Sequence, residues 1–210
     1  MFTVYGAADS GSVVIEAALT WMGLPYRVVE AAPWGPPEQR AILEKVSPLG
    51  QVPVLELPDG QRLTESVAIL LWLADSKEGR TFAPGPGHPD RATFLRWLIF
   101  IPANIYAMYT IKDNVAEWVS DGEAQTELTA KTIDRVAAMW RVMEAEVEPA
   151  PYIFGDDPTF LDLFVAVASR WTPRRNAFYP ACPKLGAMVR RLDADPRLST
   201  LWGERVTQPA

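Results

Sequence analysis

Gly50-Gln51-Val52-Pro53-Val54-Leu55, followed by Thr64-Glu65-Ser66, are the pieces of sequence on which the reading of this fold turns. Pro53 stands inside a run, Val52 to Leu57, that otherwise reads as a strand, and proline suits a strand interior poorly because it cannot donate to the ladder. Either the run is an edge strand or the chain bends sharply there. An X-Pro bond adopts cis at modest cost, and a cis Val52-Pro53 bond leaves the Val52 N–H and C=O free to pair with an extended, peptide-like ligand. Pro58-Asp59-Gly60 is a turn signal, so Val52–Leu57 and Gln61–Thr64 are expected to form a hairpin. Thr64-Glu65-Ser66 then opens a helix running to about Ser76. Its hydroxyl and backbone N–H groups either receive a carboxylate or simply cap the helix.

Upstream, short apolar runs alternate with helical ones. Phe2–Tyr5 reads as strand, Ser12–Met22 as helix, Tyr26–Glu30 as strand and Pro37–Val46 as helix, which makes the order βαβαββα and the first strand pair parallel. The first strand meets the first helix at Asp9-Ser10-Gly11-Ser12. A helix N-terminus offers unpaired N–H groups and partial positive charge, and two hydroxyls there, with Gly11 permitting close backbone approach, suit a negatively charged sulfur or oxygen. The same residues also make an ordinary cap.

Downstream, Pro84, Gly85, Pro86, Gly87 and Pro89 crowd one loop, and everything beyond reads as helix or connection. The expected division is a domain over 1–79, a linker over 80–88 and an all-helical domain over 89–210. Between Glu123 and Glu148, Ile133, Val136, Trp140, Met143 and Val147 recur at steps of three and four, the stripe of a core-facing helix. Thr159 and Asp162 form a capping-box pair before an apolar run through Ala168. Trp97–Tyr109 is apolar, preceded by Arg96 and interrupted by Pro102 and Asn104. It reads as a buried, kinked helix, shorter than the roughly 20 residues of a membrane span.

Composition bounds the function. In 210 residues, 49% are hydrophobic and 22% charged, a globular balance. The net charge of −6 argues against nucleic acid and anionic membrane as partners. One cysteine, Cys182, and one histidine, His88, exclude a disulfide, a CxxC pair and a Cys/His metal site, so no metal is expected. No basic residue precedes Arg27, so no secretory signal is visible and a cytoplasmic protein is expected. His88 reads as a linker residue, Cys182 as an inert thiol, Arg170, Arg174 and Arg175 as a solvated helix end, and Trp34 as a surface-loop residue.

Taken together, the βαβαββα order, Gln51-Val52-Pro53-Val54-Leu55 and Glu65-Ser66 resemble the glutathione S-transferase family over essentially the whole chain, with Ser10-Gly11-Ser12 similar to the Ser-Gly-Asn of many bacterial, serine-type members. The resemblance implies an α/β thioredoxin-like N-terminal domain followed by an all-α domain. Glutathione becomes the cosubstrate, with Val52, in the cis-proline segment that includes Pro53, pairing through its backbone with the cysteinyl part, Gln51 at the glycyl end, and Glu65 with Ser66 at the γ-glutamyl end. Ser10 falls where a serine hydroxyl meets the thiol. Ser12 stands where the bacterial motif has Asn, and Tyr5 lies where tyrosine-type classes carry their hydroxyl, so Ser10, Ser12 and Tyr5 all stay in contention, with Ser10 preferred.

A free thiol of pKa about 8.5 is only a few per cent thiolate at neutral pH, so a hydroxyl donor at a helix N-terminus raises the concentration of the nucleophile. The acceptor, a small hydrophobic electrophile, is expected between the domains against Trp97, Asn104, Tyr106 and Tyr109, residues that serve equally well as core. A homodimer follows from the resemblance, as does a detoxifying role. Non-catalytic ligand binding and protein interaction by the same fold are the alternatives.

Overall fold

The computed structural model describes residues 1–171 and 173–207. An α/β thioredoxin-like domain is followed by a helical domain. The described residues divide into two compact units, one formed by Met1–Gly87 together with 191–207, the other by His88–Arg190. The break at Gly87 falls in the expected linker.

In that unit, β1 (Phe2–Gly6), α1 (Val13–Trp21), β2 (Tyr26–Glu30), α2 (Pro37–Val46), β3 (Val54–Glu56), β4 (Arg62–Leu63) and α3 (Ser66–Ala74) follow one another, and the sheet order is β2-β1-β3-β4. β1 pairs in parallel with β2, Phe2 opposite Tyr26 through Gly6 opposite Glu30. Parallel neighbours need a crossover, and α1 supplies it. β3 runs antiparallel to β1 and to β4, with Val54 opposite Tyr5 and Leu55 opposite Leu63. Val13, Val14, Ile15, Ala17, Ala18 and Leu19 of α1 and Ile69, Leu70 and Leu73 of α3 make the core. Each large side chain buried there contributes about 1.5–3 kcal/mol.

The helical unit contains α4 (Arg91–Phe100), α5 (Ala107–Asp113), α6 (Val115–Trp118), α7 (Gly122–Glu146), α8 (Phe160–Ala168) and α9 (Arg175–Ala181). α10 (Pro183–Asp193) spans the boundary at Arg190, and α11 (Ser199–Arg205) belongs to the first unit. Asp121 caps α7 by accepting from Ala124 N–H at 2.9 Å. α8 is buried throughout, and Asp162, fully buried, accepts from the N–H and hydroxyl of Thr159, both at 2.7 Å, and from Ile153 N–H at 2.9 Å. Glu144 on α7 takes the first N–H groups of α10, from Lys184 at 2.9 Å and Leu185 at 3.0 Å.

Pro102 does not break its helix. Residues 101–106 form a π-helical turn that joins α4 to α5, so the missing proline N–H is absorbed by an extra residue per turn. Asn104 donates its side-chain amide to Phe100 C=O at 3.2 Å. The helical run Arg91–Asp113 is therefore 23 residues long, and by length and composition alone it is long and apolar enough to cross a membrane, a test that the core helix of a globular protein also passes. The apolar stretch Trp97–Tyr109 lies inside this longer helical run, with Pro102 at its π-helical turn. Its burial is also one-sided: Phe94, Trp97, Leu98, Ile101 and Ile105 are buried, while Ile99 is half exposed.

Arg175 departs from expectation too. It is buried, donating to Ala166 C=O at 2.6 Å and to the Tyr179 hydroxyl at 3.0 Å. A cation at the end of α8 satisfies an orphan carbonyl there rather than meeting solvent.

Candidate functional site

The register brings three loops to one end of the sheet. β1 ends at Gly6 near the start of β3, because Tyr5 faces Val54, and β4 ends at Leu63, opposite Leu55. The β1–α1 loop, the Val52-Pro53 step and the Thr64–Ser66 entry to α3 therefore emerge together. These are the segments singled out in the sequence.

Val52-Pro53 is cis. The ladder begins only at Val54, so Val52 lies outside it, and among the described residues its N–H and C=O enter no backbone hydrogen bond. Gly50, at φ +61°, closes a turn in which Gly50 N–H meets Ser47 C=O and Gln51 N–H meets the Ser47 hydroxyl at 3.0 Å, leaving the Gln51 side chain exposed. Glu65 precedes α3 with φ 65° and ψ 106°, a backbone state outside the ordinary regions for a residue with a side chain, at a cost of about 1–3 kcal/mol. Its side chain is exposed and Ser66, first in the helix, is buried. α3 thus presents its N-terminal N–H groups beside a carboxylate-bearing, strained residue, a place that suits a ligand carrying both an ammonium and a carboxylate.

In the β1–α1 loop, Ser10 is 4% exposed and Ser12 is fully buried. The Ser10 hydroxyl donates to Ala7 C=O at 2.7 Å and lies 2.9 Å from the Ser12 oxygen, and Ser12 N–H donates to Ser10 Oγ at 3.1 Å. Ser12 Oγ accepts from Ala7 N–H at 3.0 Å and reaches Glu16 Oε1 at 3.1 Å. Ser10 is thus the outward member of the pair. Gly6 makes the arrangement possible, since a Cβ there would sit 2.3 Å from Ser12 Oγ. Tyr5 is engaged elsewhere: its hydroxyl donates to Glu56 at 3.3 Å, and Arg62 holds that carboxylate at 2.8 Å.

Sequence reading missed Glu16 and Arg205. Glu16 is fully buried, the single charge in the apolar helix Val13–Trp21, and that isolation was the available signal. Arg205 Nε lies 2.7 Å from Glu16 Oε2, out of line for a hydrogen bond, so this contact is ionic, while its Nη2 donates to Oε1 at 3.3 Å and its Nη1 to Glu30. Burial pushes the Glu16 carboxyl up, and Arg205 and Ser12 oppose that only in part. Asp9, at φ +56°, pins the loop to the C-terminal segment. Its N–H donates to Arg205 C=O at 3.0 Å, and its carboxylate accepts from Thr207.

Of the residues expected to meet an acceptor, Trp97 is 1% exposed, packed edge-on to Phe100 under Arg96, and presents no surface. That expectation is corrected by its place in the core. Tyr106 and Tyr109 gather around Trp171 at 4.6 and 5.3 Å between ring centres. The Tyr106 hydroxyl is buried without a hydrogen-bond partner, and burial pushes both phenols upward. Trp34 is exposed. Cys182 is buried, its thiol pushed up to about 12, which keeps it protonated and unreactive. Among the described residues no group of His, Cys, Asp and Glu is arranged for a metal ion.

Comparison with known proteins gives a consistent picture. Residues 12–76 match the family model described as the glutathione S-transferase N-terminal domain. The chain is 30% identical over 191 residues to a protein named maleylacetoacetate isomerase from Rhizobium meliloti, covering 87% of this chain and 86% of that one. It is 28% identical over 199 residues to the GST-like protein YncG of Escherichia coli K12, covering 94% and 95%. In three dimensions it resembles a glutathione transferase homologue from Sulfitobacter, crystallised with bound glutathione, at TM-score 0.82 and 22% identity over 97% of this chain and 98% of that one.

Proposed function

The chain belongs to the glutathione S-transferase family, and on that footing we propose that it binds glutathione at this end of its N-terminal sheet and activates the thiol for attack on a small hydrophobic electrophile. The observation that carries the reading is the convergence of Val52, Glu65 and Ser10 at one sheet end. In this reading Val52 pairs through its free backbone groups with the cysteinyl residue. Glu65, with Ser66 and the α3 N-terminus, takes the γ-glutamyl ammonium and carboxylate, and Gln51 takes the glycyl end. Ser10 turns its proton from Ala7 C=O to the sulfur. Ser12 positions Ser10, and Tyr5, held by Glu56, stays out of the reaction.

The energetics are modest. Lowering a thiol pKa from about 8.5 to below 7 requires roughly 2–3 kcal/mol of preference for the thiolate. One charge-assisted hydrogen bond and a helix N-terminus together are of that size. Binding supplies the proximity. Asn104, Tyr106 and Tyr109 are assigned to the acceptor, which the two tyrosine rings make apolar. Glutathione-dependent isomerisation is a second reading, supported by the 30% identical relative whose name describes an isomerase. We assign the protein to the cytoplasm and to a homodimer, in which exposed Leu49 and Trp72 offer apolar surface to a second copy.

The test is calorimetric binding of glutathione combined with ultraviolet titration of the bound thiolate, in wild type, Ser10→Ala and Tyr5→Phe. Ser10→Ala is expected to raise the bound thiol pKa by about one to two units and Tyr5→Phe to leave it in place. Binding with an unshifted thiol would make the protein a carrier, and no binding an interaction module. An acceptor panel containing a cis-olefinic diacid separates isomerase from conjugating activity.

A further inference from the structure

Activating a thiol leaves a proton that must go somewhere. Ser10 Oγ, Ser12 Oγ and Glu16 Oε1 form an unbroken line with steps of 2.9 and 3.1 Å, running from the least buried of the three groups to a carboxylate with no exposure at all. We propose that Glu16 receives the glutathione thiol proton through Ser10 and Ser12, and that Arg205 positions it to do so. The proposal rests on the assignment of Ser10 to the thiol made above.

Each hydroxyl has one proton to give, and the line is orderable in two directions. With Glu16 ionised, Ser12 donates to Glu16, Ser10 donates to Ser12, and the thiol donates to Ser10. When the thiol ionises, the S–H bond breaks, sulfur keeps the electron pair, and its proton bonds to Ser10 Oγ. The Ser10 proton passes to Ser12 Oγ and the Ser12 proton to Glu16 Oε1. Charge moves from carboxylate to sulfur, and no proton enters or leaves the protein. The line now runs the other way: Glu16 donates to Ser12, Ser12 to Ser10, and Ser10 to the thiolate, which is the orientation that stabilises the nucleophile. Ala7 holds the two hydroxyls in place meanwhile, its N–H on Ser12 and its C=O within reach of both.

The surroundings of Glu16 suit a group that changes charge. Arg205 from α11 faces it and favours the ionised form. Glu30 from β2 acts against that form by its negative charge, and Tyr26, whose phenol is pushed up chiefly by burial and in part by the Glu16 charge, meets the Thr20 hydroxyl on the same side. Burial makes its carboxyl a better proton acceptor than an exposed one. A purely structural ion pair would need only Arg205. The additional bond to Ser12 connects the pair to the site.

Proton counting tests this. Glutathione is titrated into the intact protein at neutral pH in phosphate and in Tris, whose ionisation enthalpies differ, while thiolate absorbance is read on the same samples. S-methylglutathione, which has no thiol proton, supplies the background. Wild type is expected to form thiolate while releasing clearly less than one proton for each thiolate formed. Glu16→Gln, whose amide can still donate to Ser12, is expected to keep the thiolate and release one full proton for each. One proton per thiolate from wild type overturns the proposal by itself, whether or not the variant folds, and so does a variant with the wild-type ratio. Ser10→Ala separates the two levels. If it leaves the thiol pKa unmoved, the assignment of Ser10 falls and the relay with it. If it raises the pKa while wild type releases a full proton, only the relay falls.

Discussion

Gly6→Ala is the most economical perturbation of this site, because it adds one methyl group to a residue that touches no ligand. The new Cβ would lie 2.3 Å from Ser12 Oγ and 2.5 Å from Ser12 Cβ, and ordinary contact begins near 3.4 Å. Ser12 must retreat by about 1 Å, and it heads a buried helix rather than ending a flexible side chain. That movement takes the Ala7 N–H to Ser12 Oγ bond, now 3.0 Å, beyond hydrogen-bond reach and lengthens the bond to Glu16. Overpacking costs about 1–3 kcal/mol. Losing one neutral and weakening one charged buried hydrogen bond adds about 2 kcal/mol.

The expected loss is therefore about 3–5 kcal/mol, a large share of the roughly 5–15 kcal/mol that stabilises a typical protein. For a chain of this length that lowers Tm by about 10 °C. Urea unfolding measures the stability, and titration of the bound thiol measures whether Ser10 has lost its alignment. Gly203→Ala is the control: nothing lies within 4 Å of a Cβ on Gly203 in α11, and alanine in a helix gains about 0.5–1 kcal/mol. If Gly6→Ala unfolds within 1 kcal/mol of wild type and its bound thiol titrates unchanged, the reasoning about this loop is wrong.

Asp162→Ala strands three buried donors, Ile153 N–H and both groups of Thr159, and is expected to cost about 3–4 kcal/mol in urea unfolding; a loss below 1 kcal/mol would show that the box does not hold α8. Burial raises the Glu16 carboxyl above its ordinary 4.5, so the folded state retains a proton that the unfolded chain has released. Its contribution is complete below pH 4.5 and is lost as pH rises through the folded value, so the stability of wild type relative to Glu16→Gln is expected to decline with rising pH across that window. A difference that is flat or grows with pH would contradict the assigned direction. Light scattering at micromolar concentration is expected to return twice the chain mass, and the chain mass alone would remove the dimer.

Local order was legible and long-range partnership was not. β2 and α2 begin and end at the residues that periodicity, Pro37 and the flanking turn residues assign them. Pro53 announced the bend, because a proline in a strand has few explanations. The strands of the hairpin are shorter than their apolar runs, since Val52 sits before the ladder and Thr64 after it. Pro102 announced an irregularity in its helix but not its form, which is a π-helical turn over 101–106. Arg175 misled because a helix-terminal cation reads the same in a sequence whether its carbonyl partner is in solvent or in the core. In the candidate site, Ser10, Val52, Glu65 and Ser66 were visible as local oddities. Arg205 was not, because nothing in its neighbourhood of sequence refers to a carboxylate at position 16.

That separation has a consequence during synthesis. Glu16 leaves the ribosome 189 residues before the arginine that neutralises it. Until Arg205 arrives, a nascent chain that closed α1 over its sheet would enclose a charge without a counterion, so the N-terminal unit gains its full stability only after the helical unit has been translated. For the same reason a fragment cut at Gly87 is not a minimal version of this unit, and a C-terminal truncation acts on the serine loop as directly as a mutation inside it.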